Sequence, residues 1–106
     1  MTIKDVKLVE DCFDGSSILR YWFDAAWTAQ SIQALRPLGE LEYFGDFPRP
    51  LFRLQTPDGA QIKGIEGDDN CQVVYPREGR SAIQERIEAQ FTEIQAVGGG
   101  RTAPPS

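Results

Sequence analysis

Three turn-forming stretches divide much of the chain into short apolar runs, and this division constrains the fold more than any other feature. The stretches are Asp14-Gly15, Thr56-Pro57-Asp58-Gly59 and Gly67-Asp68-Asp69-Asn70. Proline presets φ for a turn, and glycine accepts the left-handed backbone that tight turns require. Short apolar runs between such turns are typical of strands joined by hairpins. The sequence therefore predicts a mainly antiparallel sheet.

Six strands are predicted, at residues 3–13, 17–23, 41–44, 51–55, 60–66 and 71–75. Residues 45–50 are predicted to form a loop, because the two prolines in this stretch lack the N–H groups that a sheet needs. Side chains alternate between the two faces of a strand. In the second strand this alternation directs Leu19, Tyr21 and Phe23 to one face. It directs Arg20, Trp22 and Asp24 to the other.

A long helix that begins at Ser17 is the alternative for this region, because Ile18, Trp22, Ala25 and later apolar residues repeat at helical spacing. The aromatic residues at 21–23 favour a strand, and alanine-rich sequence begins only after them. We therefore predict that a first helix covers residues 24–36, with Asp24 as its N-cap. Pro37 and Gly39 end it.

A second helix is predicted from Ser81, which forms a capping box with Gln84. One apolar stripe follows at helical spacing: Ile83, Ile87, Phe91 and Ile94. We expect the helix to end near Val97.

These elements predict one α+β domain over residues 1–97, followed by a flexible Gly/Pro-rich tail at 98–106. The domain has a sheet of five or six mainly antiparallel strands with two helices packed on one face. A ferredoxin-like arrangement with added hairpin strands is one candidate, offered by analogy.

The charge balance argues against several classes of partner. The formal net charge is −5, with 16 acidic and 11 basic residues. General nucleic-acid binding requires clustered Lys and Arg, so we predict none. No apolar run is long enough to cross a membrane, and the N-terminus shows no secretory signal. A cytoplasmic location is therefore expected.

Histidine is absent from the sequence, which excludes Ser-His-Asp and Cys-His nucleophile pairs. Cys12 and Cys71 form no C-x-x-C motif, and acidic neighbours disfavour a thiolate at either. Free, buried cysteines are the favoured interpretation, although a disulfide is open to them if the first and last strands adjoin. No cofactor is predicted.

Two acidic groups flank the cysteines. Glu10, Asp11 and Asp14 surround Cys12, and an acidic turn at residues 66–70 precedes Cys71. If the first and last strands were neighbours, these oxygens would converge as ligands for Ca²⁺ or Mg²⁺. Their spacing matches no EF-hand loop, and solvated turns explain them as well. No metal site is therefore predicted.

Aromatic and charged residues predict a surface for a partner or ligand. The outward side of the second strand, the end of the third strand and the loop after it supply its residues, because large amphipathic rings are enriched at interface centres. They are Arg20, Trp22, Asp24, Tyr43, Phe44 and Phe47. Trp22 and Trp27 also have a core interpretation, which is favoured for Trp27.

A small anion site is predicted at Arg77, Arg80 and Ser81, where the second helix begins. The first turn of a helix exposes backbone N–H groups, and arginine binds anions through two parallel hydrogen bonds. Solvated arginines beside an ordinary helix cap are the alternative.

These features predict a small non-catalytic binding or accessory module that self-associates, as a homodimer, or docks on a partner protein. The alternative is a small ligand- or anion-handling protein. If this protein is an enzyme, carboxylates of residues 66–69 or Tyr75 do the acid/base work, and Arg77 and Arg80 hold an anionic substrate. No catalytic residue is assigned, and the sequence does not decide whether the chain is an enzyme.

Overall fold

The computed structural model describes residues 1–94, so the predicted tail at 98–106 and the predicted helix end at Val97 lie outside the described residues. The strands are β1 (Ile3–Asp11), β2 (Ser17–Phe23), β3 (Glu40–Phe44), β4 (Leu51–Gln55), β5 (Gln61–Ile65) and β6 (Asn70–Tyr75). The helices are α1 (Ala29–Gln33), a 3₁₀ turn at Arg36–Leu38 and α2 (Arg80–Glu93).

All six strands form one antiparallel sheet in the order β1-β2-β6-β5-β4-β3. β1 and β2 form a hairpin at one side of the sheet. β3 to β6 form a meander that begins at the opposite edge and ends with β6 paired to β2. The predicted α+β class and mainly antiparallel sheet are confirmed. A ferredoxin-like arrangement is not confirmed, since two strands precede α1 and four separate α1 from α2.

The alternation in β2 matches the prediction, and the alternative helix from Ser17 does not form. Leu19, Tyr21 and Phe23 are buried on one face of the sheet. Both helices bury residues in the same core, including the predicted stripe of α2, so they lie on that face. We call the opposite side of the sheet the outer face.

Aromatic rings fill the core between the helices and the sheet. The Trp27 ring lies 4.9 Å from that of Phe52 and 5.5 Å from that of Phe23. Phe91 of α2 packs 5.1 Å from Phe23. These edge-to-face contacts join α2, β2, β4 and the segment before α1.

β1 is shorter than predicted, because a turn over residues 12–16 replaces its last two residues. The Cys12 N–H donates to the Ser16 carbonyl, and the Gly15 N–H donates to the Cys12 carbonyl. Gly15 has a φ of 90°, which favours glycine. Phe13, predicted in the strand, is therefore fully exposed in the turn.

The first helix was predicted too long, and Asp24 is not its N-cap. Thr28 caps α1 instead, through a reciprocal capping box with Ser31. Asp24 accepts a hydrogen bond from the Thr2 N–H at 2.8 Å. The chain before Thr28 cannot become helical, since Trp27 exchanges backbone hydrogen bonds with Gly67 and Asp68 of the β5–β6 turn.

The capping box predicted for Ser81 and Gln84 is also wrong. Gly79 is the N-cap of α2, with a φ of 73° and no side-chain cap. This left-handed residue places Ser81 inside the first turn, where its side chain is exposed. The Gln84 amide is free to donate to Glu88, one turn later.

Candidate functional site

The outer face carries a row of charged and polar side chains that crosses the whole sheet. Directly paired residues of neighbouring strands project to the same side. The pairing aligns one residue from each of the six strands, and we call this set the charged row: Lys7, Arg20, Gln72, Lys63, Arg53 and Glu42.

A second row lies two residues away along the strands, and it is largely apolar. Its members are Trp22, Asn70, Ile65, Leu51 and Phe44, which we call the apolar row. Its four hydrophobic side chains are only partly buried, since the helices lie on the other side. Positive charge and apolar surface therefore run side by side.

The four central strands present no carboxylate on the outer face. Their outward residues are Ile18, Arg20 and Trp22 in β2, Asn70, Gln72 and Val74 in β6, Gln61, Lys63 and Ile65 in β5, and Leu51, Arg53 and Gln55 in β4. The chain has 16 acidic residues. Its negative charge is therefore excluded from the centre of this face.

Arg20, on β2, is a half-buried cation of the charged row. Its guanidinium donates to the Asn70 side-chain oxygen at 2.8 Å and to the Gln72 side-chain oxygen at 3.2 Å. Both acceptors are neutral amides, which fix the position of the group and leave its charge uncompensated. Arginine has five N–H donors, so further donors remain for an anion.

The neighbouring cations differ in their partners. Arg53 donates from Nε to Glu42 at 2.8 Å and forms an ion pair with it. Lys7 lies 6.0 Å from the ring centroid of Trp22, within range of a cation–π contact. Across residues 1–94, no carboxylate lies within ion-pair distance of Lys7, Arg20 or Lys63.

Between the two rows the outer face is concave. A groove of about 370 Å³ is lined by Arg20, Gln72, Lys63 and Arg53 of the charged row, and by Ile65, Leu51 and Phe44 of the apolar row. Asp68 lies at its end, paired with Arg49 at 2.5 Å. This volume lies within the range of small-molecule sites. The groove therefore offers cationic donors beside an apolar wall.

The buried hydroxyl groups lie on the other side of the sheet. The Tyr21 hydroxyl donates to Glu88 of α2 at 2.7 Å and lies 2.6 Å from the Tyr75 hydroxyl. Burial, above all, raises the pKa of both tyrosines. Both phenols therefore stay protonated at neutral pH. Tyr75, one of the acid/base candidates, faces the helices and does not reach the groove.

The predicted partner surface divides into two groups. Arg20, Trp22 and Phe44 lie on the outer face, and the exposed Phe47 ring lies 6.1 Å from that of Phe44. The other two lie elsewhere. Tyr43 projects to the helix side of β3, where its hydroxyl donates to Glu66, and Asp24 follows the end of β2.

The predicted anion-binding residues are occupied by local contacts. Arg80 donates to the Ser17 hydroxyl at 2.9 Å and lies 5.9 Å from the ring centroid of Tyr75. The stem of Arg77 packs against Gly15. Ser81 is exposed in the first turn of α2. An anion site at these three residues stays a prediction.

The two acidic turns do not converge, because β2 separates β1 from β6. Asp11 pairs with Ser17, which pairs with Tyr75 at one end of β6. The turn at residues 66–69 precedes Asn70 at the other end. Within residues 1–94, no three His, Cys, Asp or Glu side chains form a metal-binding group.

The same separation keeps the cysteines apart. Cys12 lies beyond the Tyr75 end of β6, and Cys71 lies four residues from it, about 13 Å along a strand. Both are free thiols. Burial strongly raises the pKa of Cys71, so its thiol is not an activated nucleophile.

Sequence reasoning missed most of the groove. The predicted partner surface does not contain Lys63, Gln72 or Arg53, although the alternation within each strand shows which of its residues share a face. The missing information was strand order, since only the pairing of β2 with β6 and of β6 with β5 brings Lys63 near Arg20.

Comparison of the chain with protein-family models, with curated proteins and with solved structures found no match. Within residues 1–94, neither helix has the length and apolar character needed to cross a bilayer. The geometry of the outer face is therefore the basis on which function is argued.

Proposed function

We propose that the chain is a small non-catalytic binding module that docks a partner protein on the outer face of its sheet. The observation that carries this proposal is the groove, where half-buried Arg20 has only neutral partners. An uncompensated cation beside apolar side chains is typical of a surface that is completed by another molecule. We also propose the cytoplasmic location that the sequence leads us to expect.

The electrostatic setting supports a specific partner. The net charge of −5 repels acidic molecules from most of the surface. The centre of the outer face attracts them, because it carries cations and no carboxylate. Such complementarity speeds encounter and fixes orientation more than it adds raw affinity.

A small organic anion is the second candidate ligand, favoured by the groove volume of about 370 Å³. In that case Arg20 and Lys63 hold the charged group, and Phe44, Leu51 and Ile65 contact an apolar body. This is the ligand-handling function that the sequence offers as the alternative, with the binding site now proposed on the outer face. Native mass spectrometry distinguishes it from docking by a stoichiometric small mass on the monomer.

Affinity capture with matched variants tests the docking proposal. The face variant combines Lys63→Glu with Phe44→Ser, and the control is Arg36→Glu, which makes the same charge reversal at an exposed site in the helical layer. We expect one partner to be captured stoichiometrically by the wild type and the control and lost from the face variant. A partner that all three proteins retain equally would overturn the proposal.

Self-association is measured on the same proteins. A dimer mass in the wild type and the control, with a monomer mass for the face variant, would identify the partner as a second copy of the chain. A dimer that persists in the face variant would place self-association on another surface.

A further inference from the structure

We infer that the outer face takes an extended segment of a partner protein in which acidic and apolar residues alternate, lying across the strands between the charged row and the apolar row. This inference rests on the proposed docking function and specifies the partner chemistry. The acidic side chains contact Lys7, Arg20, Lys63 and Arg53, and the apolar side chains contact Trp22, Ile65, Leu51 and Phe44.

The two rows have the geometry that such a segment requires. Successive side chains of an extended chain point in opposite directions. When the segment lies flat on the sheet, one set of side chains points toward the charged row and the other toward the apolar row. The rows are two residues apart along the strands, about 7 Å, which leaves room for a backbone between them.

The spacing along the charged row also fits. Neighbouring strands are about 4.8 Å apart, so the four cations lie at about 0, 5, 14 and 19 Å along the row. Alternate residues of an extended segment recur about every 6.7 Å, so four acidic residues span about 20 Å. A seven-residue segment therefore reaches from Lys7 on β1 to Arg53 on β4.

Charge selects the occupant. Four carboxylates lie beside the rows: Asp5 beside Trp22, Glu42 paired with Arg53, Asp68 paired with Arg49 at the end of the groove, and Asp69, which accepts a hydrogen bond from the Asn70 amide at 3.1 Å. The central cations Arg20 and Lys63 have no such partner within the described residues. An acidic segment supplies their counter-charges, while a basic or neutral segment leaves them uncompensated.

The test uses a fluorescently labelled peptide, Glu-Leu-Glu-Leu-Glu-Leu-Glu, titrated with the full chain and followed by fluorescence anisotropy. One control peptide replaces each Glu with Gln. A second has the same composition in blocks, with all Glu residues before all Leu residues. We expect the alternating acidic peptide to bind about tenfold more tightly than either control, and added salt to weaken binding because the contacts are electrostatic.

Variants of the protein locate the contact. Lys63→Glu is expected to weaken peptide binding by about tenfold, because it turns an attraction into a repulsion at an exposed site. Arg36→Glu makes the same charge change away from the outer face, and its affinity should equal that of the wild type. Circular dichroism verifies that both variants fold.

Three outcomes would overturn the inference: no binding of the alternating peptide, equal binding of the block peptide, or equal binding by Lys63→Glu. Inorganic phosphate that displaces the peptide and binds as tightly would instead assign a small-anion site. If the peptide fails while capture of a partner still depends on Lys63 and Phe44, the docking function stands and only this inference falls. If capture does not depend on them, the docking function itself fails.

Discussion

The hydroxyl oxygens of Tyr21 and Tyr75 lie 2.6 Å apart, completely buried between the sheet and α2. Glu88 accepts a hydrogen bond from Tyr21, and it also accepts one from Gln84 on the same helix. Because unsatisfied buried hydroxyl groups are costly, these bonds specify where α2 sits on β2 and β6. The pair therefore contributes to the response of the fold to alkaline pH, together with Cys71, whose pKa is also raised by burial.

We expect the contribution of Tyr21 and Tyr75 to stability to fall as pH rises above 10, beyond the loss from buried Cys71, which begins near its ordinary thiol pKa of about 9. Burial raises the pKa of Tyr21 and Tyr75 above the usual value of 10. The folded state thus keeps protons that the unfolded state releases, so their contribution is complete below pH 10 and decreases above it. Each tyrosine contributes a slope of up to about 1.4 kcal/mol per pH unit. Urea unfolding at successive alkaline pH values measures this slope.

Tyr75→Phe should reduce that alkaline slope, while Tyr43→Phe should reduce it less because Tyr43 is exposed. At neutral pH, Tyr75→Phe removes one buried hydrogen bond, and we expect a loss of about 1 kcal/mol. Equal alkaline slopes for the wild type and Tyr75→Phe would show that the pair does not contribute to the pH response.

Gly64→Ala should destabilise the fold by about 1–3 kcal/mol through overpacking. A Cβ at this position would lie 2.6 Å from two ring carbons of Phe52. Phe52→Leu in the same chain should relieve part of that clash, so the double variant should be more stable than the sum of the single effects predicts. Urea unfolding of all four proteins measures the coupling.

Gly67→Ala is the matched control for this cycle. Nothing lies within 4 Å of a Cβ at Gly67, and its φ is 96°. The cost there comes from backbone strain alone, so it should add independently to the cost of Phe52→Leu. Coupling of equal size at both glycines would contradict the packing explanation.

The two tryptophans should respond differently to replacement by phenylalanine. Trp27 is buried among Phe23, Phe52 and Phe91, and its indole N–H donates to the Asn70 carbonyl at 3.1 Å. Trp27→Phe leaves a cavity and an unpaired acceptor, so we expect a loss of about 2–4 kcal/mol. Trp22→Phe should cost less than about 1 kcal/mol.

Thermal unfolding and intrinsic fluorescence check this comparison. The emission that remains in Trp22→Phe comes from buried Trp27 and should lie at shorter wavelength than the emission of Trp27→Phe. Equal destabilisation by the two replacements would contradict the assignment of Trp27 to the core and Trp22 to the outer face.

One of the two thiols should react in the native protein. Cys12 is partly exposed in the β1–β2 turn, whereas Cys71 is buried with a raised pKa. A thiol reagent should therefore modify one cysteine under native conditions and two in denaturant. Cys12→Ser should abolish the native reaction. Native modification of that variant would mean that Cys71 is reachable.

Local patterns predicted much of the fold. Turn residues located the six strands to within two residues, and alternation identified the buried side of β2. The stripe from Ile83 to Ile94 identified the packed side of α2. These features follow from residues that are neighbours in sequence, which is why a single sequence was sufficient for them.

The failures depend on contacts between distant residues. Trp27 is excluded from α1 by hydrogen bonds to the turn at residues 67–69, which no local pattern reveals. Lys63 joins Arg20 in the groove only because β6 pairs with both β2 and β5. Strand order cannot be read from alternation, so the candidate site was predicted only at Arg20, Trp22 and Phe44, with Phe47 beside it.

The seam between β2 and β6 has a consequence for folding. The hairpin and the meander each form from short-range contacts, but the seam joins residues such as Arg20 and Asn70, which are 50 positions apart in sequence. Closing so long a loop is slow compared with forming hairpins, so we expect the seam to form late.

The groove spans this seam, with Arg20 contributed by the hairpin and Lys63 by the meander. A ligand that bridges the two residues recognises only chains in which both halves have joined, and its binding opposes their separation by mass action. In the proposed docking role, a bound partner would therefore shift the equilibrium toward chains in which the hairpin and the meander have joined.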